Sequence, residues 1–109
     1  MRRAALAVQA YASRSRESWG IGDLRDLRQL GRWVRAHGID HLALSPLHAP
    51  SPGDHPQPSP YYPSSRRNLN PLHIAVDEVP GAAHDDRIRE LGDEARRLLA
   101  DRRIDRTAV

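Results

Sequence analysis

The chain has 109 residues, no cysteine and a formal net charge of +3, and all seventeen of its Lys+Arg residues are arginine. That length allows one domain at most, and without cysteine there is neither a disulfide framework nor a thiolate metal site, which leaves the cytoplasm as the default compartment. No apolar run approaches the roughly 18 residues a bilayer-crossing helix needs, so no membrane partner is expected. The basic start Met1-Arg2-Arg3 opens a short apolar run that Gln9 and Tyr11 interrupt too early for a signal sequence.

A pI near 10.2 raises nucleic acid as a partner class. From Asp77 onward, however, nine acids meet seven arginines. Such mixing describes a solvated face and not a stripe that tracks phosphates, so no nucleic-acid partner is expected.

In chain order, residues 6–11 form a mostly apolar run suited to a buried strand. Residues 13–22 are small and polar with two glycines, a loop in which Trp19 must either cover the edge of a core or face a ligand. Asp23 is a good N-cap, and Asp26 three residues on completes a capping-box arrangement. Leu24, Leu27, Leu30 and Val34 then recur at helical spacing, with Gly31 beside them where close packing could occur. Arg25, Arg28, Arg32 and Arg35 fall on the opposite, water-facing side. Gly38 ends this helix, and His37 suits the negative end of its dipole.

Residues 39–44 read as a second strand, stopped by Ser45-Pro46. Strand, helix and strand in that order make a βαβ unit with parallel strands. Residues 45–74 come next as a long loop without a periodic pattern, and residues 72–76, which overlap its end, are a weak candidate for a third strand. Asp85 or Asp86 caps a last helix running to about Asp101, with Ile88, Leu91, Ala95, Leu98 and Leu99 on one face and Gly92 weakening its middle by about 1 kcal/mol. Residues 104–109 look like the start of another element.

The chemistry visible in these residues is sparse. Gly20-x-Gly22 lacks the third glycine of a dinucleotide fingerprint, since Arg25 stands there. The histidines at 37, 41, 48, 55, 73 and 84 show neither a helical i,i+4 ligand pair nor a tight cluster. His48 and His55 share the long loop with a single acid, Asp54, so no metal and no cofactor are expected. There is no G-x-S-x-G elbow, and the expected strand ends carry no pair of carboxylates for glycoside chemistry. No catalytic residue is therefore assigned. What remains is a display of rings and hydrogen-bonding groups: Tyr61, Tyr62, Asn68, Asn70, Arg66 and His48 could pack against the CH face of a sugar and bond its hydroxyl rim. Equally, Pro60-Tyr61-Tyr62-Pro63 could simply stiffen the loop.

Three ordered motifs make a resemblance specific. They are Ser18-Trp19-Gly20-Ile21-Gly22-Asp23-Leu24, then Ser45-Pro46-Leu47-His48-Ala49, then Ser59-Pro60-Tyr61-Tyr62-Pro63-Ser64-Ser65-Arg66-Arg67 with Asn70-Pro71-Leu72. Together they resemble the N-terminal part of the amylomaltase family, 4-alpha-glucanotransferases of the alpha-amylase superfamily, and the resemblance covers nearly all of the chain.

The resemblance implies an α/β fold: an incomplete N-terminal portion of a (β/α)8 TIM barrel, with about two to three strands and two helices, spanning residues 1–109 as a partial catalytic domain. It also implies a parent enzyme that transfers alpha-1,4-glucan segments through a covalent glycosyl-enzyme intermediate, with alpha-1,4-glucans or maltodextrins as ligands. The remaining part of a split enzyme is a candidate partner. Tyr61 matches a tyrosine lining the donor-sugar end of the cleft. Trp19, His48 and Asn70 join it as substrate-binding candidates, and Asp23, Ser59, Ser64, Arg66 and Pro71 as residues that support the loop. The family's catalytic carboxylates belong to later strands and map onto nothing here, so the isolated chain is expected to be inactive. A non-catalytic maltodextrin-binding remnant is the alternative. Two departures from the family pattern, Ser45 where asparagine is usual and Ala10 where leucine is frequent, are expected to loosen the packing beneath the site.

Overall fold

A computed structural model describes residues 2–53, 58–101 and 103–104. Its centre is the expected strand–helix–strand unit. Strand β1 (Ala5–Val8) pairs in parallel with β2 (His41–Leu44), with Ala5 opposite His41 and Val8 opposite Leu44. Helix α1 (Leu24–Ala36) makes the crossover between them. This is a partial α/β-barrel arrangement.

Both strands are shorter than expected. Residues 10–12 leave β1 for a turn of 3₁₀ helix, because Ala10 donates its N–H to the Ser45 hydroxyl (2.9 Å) and not to a ladder partner. Ile39 is spent in the helix end, where its N–H reaches the Val34 carbonyl at 3.1 Å.

Helix α1 begins as its sequence dictates. The Asp23 carboxylate accepts from the Asp26 N–H (2.9 Å), and the Asp26 carboxylate accepts from the Asp23 N–H (3.0 Å), so two end-of-helix donors are satisfied reciprocally. It stops where His37 caps the last turn and Gly38 takes a positive φ of 70°.

Two expectations for this helix fail. Arg25 is not on a solvated basic face but buried, with 7% of its surface exposed, because acids from three places in the chain converge on it. Gly31 has no neighbour within 4 Å of where a Cβ would stand, so it mediates no close packing. Gly31→Ala is accordingly expected to stabilise the chain by about 0.5–1 kcal/mol, through helix propensity and a less flexible unfolded state; a urea midpoint that falls would contradict the open space around it.

The segment expected as a patternless loop holds a small antiparallel ribbon. Strand β3 (His48–Ala49) pairs with β4 (Ser65–Leu69), with His48 opposite Leu69 and an irregularity between His48 and Ala49. Residues 72–76 are not a strand. Pro71–His73 and Val76–Glu78 form two 3₁₀ turns, the first started by Pro71 behind an Asn70 cap. A third such turn, Ala82–His84, precedes α2 (Asp86–Arg97), which is capped by Asp85, one of the two expected candidates, and which ends in a further turn at Leu98–Ala100. Asp54 and His55, and residues 105–109, lie outside the described residues.

The core is thin. Among the described residues, the buried apolar ones apart from Ile21, Leu27 and Val34 are alanines: Ala10, Ala75, Ala82 and Ala95. The radius of gyration is 15.0 Å, against about 13 Å for a closed domain of this length. No described helix is long and apolar enough to cross a membrane.

Candidate functional site

In α/β folds with parallel strands, ligands meet the protein outside the carboxyl ends of those strands. Here those ends are Val8 and Leu44, and the segments leaving the two strands are tied to each other. Ser45 donates its N–H to the Val8 carbonyl (3.1 Å) and receives the Ala10 N–H on its hydroxyl. At Ser45, where the family pattern has asparagine, a buried hydroxyl joins the two strand ends.

Gly22 extends the joint. Its N–H donates to the Tyr11 carbonyl at 2.8 Å, and its own carbonyl accepts from Nδ1–H of the buried His73 at 2.8 Å. A side chain at residue 22 would press on the Ala10 carbonyl, so only glycine lets these three segments meet.

Over this joint lies a narrow cavity of about 20 Å³, lined by Tyr11, His48, Ser59, Asn70 and His73 and closed by prolines 46, 50, 58, 60 and 63. Such a volume holds about one water molecule, so a sugar would lie across the outside of the loop and not inside it. Asn70 shapes one wall. Its Oδ1 accepts from the Leu72 N–H (3.1 Å) and its own N–H donates to the Leu47 carbonyl (2.8 Å), leaving its side-chain NH₂ without a partner among the described residues.

Tyr61 and Tyr62 stand outside the cavity, 60% and 74% exposed. Ser59 holds that turn: its hydroxyl receives the Tyr61 N–H (3.3 Å) and its carbonyl the Tyr62 N–H (3.4 Å). Ser64 closes the base of the loop through its N–H to the Ala49 carbonyl (3.0 Å) and a hydroxyl contact with Ser51 (2.5 Å). Arg66 is exposed on β4, and Pro71 opens the turn that carries His73 inward.

Thus the structure brings His48, Ser59 and Asn70 around one cavity, with Tyr61 at its rim in sequence. Trp19 is elsewhere. Its ring lies against Gly92 of α2, where an added Cβ would come within 2.8 Å of it, and its indole N–H donates to Asp77 (3.1 Å). The glycine that admits close packing is therefore Gly92, and its cost to the helix is offset by an aromatic contact.

Asp77 is the residue that sequence reasoning missed. It accepts from Trp19, from Arg25 (3.0 Å) and from Arg96 of α2 (2.9 Å), joining the loop after β1 to both helices. Beside it Glu78 takes a forked pair of hydrogen bonds from Arg28 (3.0 and 2.5 Å). The contacts that Trp19, Arg25 and Arg28 make here reach across fifty or more positions, and no local pattern announces them.

The electrostatics follow from burial and pairing. Burial opposes the charge on Arg25, but the hydrogen bond to Asp77 and the charges of Asp23, Asp77 and Glu17 outweigh it and hold the guanidinium above its ordinary pKa. Burial likewise pushes the Asp23 carboxyl up. Neighbouring Asp26 adds to that, while the N–H groups of Asp26 and Arg25 and the Arg25 charge oppose it. The Arg28 fork holds Glu78 below the usual carboxylate range. Among the described residues no group of three acids or histidines is placed to hold a metal ion.

Comparison with known proteins agrees with this arrangement. The family model described as 4-alpha-glucanotransferase matches residues 8–109. A 4-alpha-glucanotransferase of Mycobacterium tuberculosis (strain ATCC 25618 / H37Rv) is 51% identical over 82 residues, covering 69% of this chain and 11% of that protein. The Haemophilus influenzae 4-alpha-glucanotransferase is 42% identical over 73 residues, covering 67% of this chain and 10% of that protein. The crystal structure of amylomaltase from Corynebacterium glutamicum superposes with a TM-score of 0.80 at 37% identity, over 88% of this chain and 14% of that one. The chain spans about a tenth of the length of the curated relatives it matches. By the extent of that match and the shared fold, it belongs to the 4-alpha-glucanotransferase family.

Proposed function

We propose that residues 1–109 form a partial catalytic barrel domain whose role is to build one wall of a glucan-binding cleft in an enzyme that transfers alpha-1,4-glucan segments. The observation that supports this most directly is the proline-braced turn over the cavity that His48 and Asn70 line, a turn that leaves the ring of Tyr61, next to the lining residue Pro60, exposed. An aromatic ring packs on the apolar face of a pyranose, and the Asn70 NH₂ and the His48 ring answer its hydroxyl rim. Ser59, Ser64, Arg66, Pro71 and Asp23 act on the ligand only by holding this turn, and Trp19 by bracing the loop beneath it.

The reaction itself belongs to carboxyl groups that these residues do not supply. In the retaining mechanism one carboxylate attacks the anomeric carbon while a carboxylic acid about 5 Å away protonates the departing oxygen; the acceptor sugar then displaces the enzyme carboxylate with the roles reversed. The chain's contribution is to hold the glucan, and the remaining part of a split enzyme is the partner that would bring the carboxyl pair.

Titration of the chain with maltohexaose, followed by tyrosine NMR signals, tests this reading. Saturable binding is expected, with Tyr61→Ala weakening it about tenfold, equivalent to about 1.4 kcal/mol. Turnover by the chain alone is expected to be nil. Binding that is indifferent to Tyr61→Ala would remove the ring from the site.

A further inference from the structure

The turn Pro71–His73 and its cap bring two polar side chains to the same cavity. Asn70 commits its Oδ1 to the Leu72 N–H (3.1 Å), so its NH₂ is the part of the side chain left to act elsewhere. Three residues on, His73 is 6% exposed, although an imidazole has two nitrogens to satisfy. Its Nδ1 lies 2.8 Å from the carbonyl oxygen of Gly22, fifty-one positions earlier in the chain; a carbonyl only accepts, so Nδ1 carries the proton. In the neutral ring Nε2 is then a bare acceptor, and no described residue donates to it.

The walls do not answer these two groups. Prolines 46, 50, 58, 60 and 63 have no N–H to offer Nε2, and Ile21 is apolar. Buried polar groups in native proteins are seldom left unmatched. The cavity's volume of about 20 Å³ exceeds the roughly 15 Å³ that one water requires, and a buried water is stable where two to four polar groups meet it.

We infer that His73 is a positioning residue for the glucan-binding turn and that it acts through one buried water in this cavity. The water accepts from one N–H of Asn70 and donates one hydrogen to Nε2 of His73. Its other hydrogen goes to an oxygen of Ser59, the residue whose hydroxyl and carbonyl hold the Tyr61 and Tyr62 N–H groups. The second N–H of Asn70 stays available to a sugar hydroxyl. Because His73 is itself fixed by Gly22, whose N–H is tied to Tyr11, the water connects the turn that carries Tyr61 to the joint between the strand ends. The inference rests on the glucan reading above and adds the group that keeps its aromatic ring in place.

The test uses the ¹⁵N-labelled full chain at mildly alkaline pH, where imidazoles are neutral. The ring signals of His73, identified by their loss in His73→Asn, are expected to show the proton on Nδ1, an Nε2 shifted upfield from the position of a bare acceptor, and a nuclear Overhauser contact with a long-lived water. Asparagine keeps a side-chain N–H where Nδ1 donates to Gly22 but ends short of Nε2. In His73→Asn the backbone order parameter of Tyr61 is expected to fall from about 0.85 to below about 0.6, and maltohexaose affinity about tenfold, while exchange of the Gly22 amide stays as in wild type. A proton on Nε2, or a wild-type ring without a water contact, overturns the inference, and these signals decide it alone if His73→Asn does not fold. A folded His73→Asn that keeps the wild-type order at Tyr61, or the wild-type affinity, overturns it as well. Ring signals and order parameters are read without glucan, so a wild-type chain that shows the water and an ordered turn but binds no maltohexaose removes the glucan reading and leaves the link from His73 to the turn.

Discussion

Asp77→Ala is expected to lower the stability of the chain by about 1–3 kcal/mol, the usual cost of leaving buried donors without one of their acceptors. The Arg25 guanidinium is 7% exposed, and after the substitution it keeps only Asp23, the more distant Glu17 carboxylate and the Glu17 carbonyl. The same change strips Arg96 of its best acceptor and Trp19 of the partner for its indole N–H, so α2 keeps only the packing of Gly92 on Trp19 where it had a charged tie through Asp77 as well. Asp77→Asn retains an oxygen for one donor and should fall between wild type and alanine. The check is thermal unfolding followed by far-UV circular dichroism and by tryptophan fluorescence. Because the core holds few large side chains, this network carries an unusual share of the tertiary structure. A midpoint for Asp77→Ala within about 1 °C of wild type, where 1 kcal/mol corresponds to about 4–8 °C for a domain of this size, would show that the network contributes little.

Gly22→Ala should cost about 3 kcal/mol, at the upper end for inserting a methyl group into a packed site. The added Cβ would stand 2.1 Å from the Ala10 carbonyl oxygen and 3.1 Å from that of Ser13, and backbone atoms cannot step aside as a flexible side chain does. Residue 22 is not one of the glycines with positive φ, so the cost is contact and not backbone conformation. Relief requires moving the turn after β1 away from the loop segment that holds Gly22, which breaks the hydrogen bond to Tyr11 or the one from His73. Since Tyr11 and His73 both line the cavity beneath the Tyr61 turn, maltohexaose affinity should fall together with the urea midpoint. A variant with wild-type stability and wild-type affinity would contradict the tight approach of residue 22 to the exit of β1.

How far these features could be read in advance depends on the distance over which each is encoded. The capping box of Asp23 and Asp26 and the stop at Gly38 are contained within a few consecutive residues, and the sequence was sufficient for them, while for the last helix it narrowed the cap to Asp85 or Asp86. So was the parallel pairing of β1 with β2, because a strand, an amphipathic helix and a strand in succession leave few other topologies. The ordered motifs likewise carried the family before any coordinate did.

What the tertiary structure alone decided involves partners far apart in the chain. Arg25 sits among residues whose periodicity sends it to solvent, yet Asp77, fifty-two positions later, turns it inward; helical spacing describes a face and not what will come to cover it. Gly31 and Gly92 are equivalent in a helical pattern, and only the arrival of Trp19 makes one a packing site and the other an open position. The ribbon of β3 and β4 escaped notice because its two- and five-residue strands, rich in serine and arginine, have no hydrophobic alternation to announce them. Its register is set by hydrogen bonds from Ser64 to Ala49 and from Asn70 to Leu47, which exist only once the prolines between them have folded the loop back on itself. Local chemistry thus determined where the elements begin and end, and long-range pairing of charge and backbone decided which side chains they bury and which they offer to a ligand.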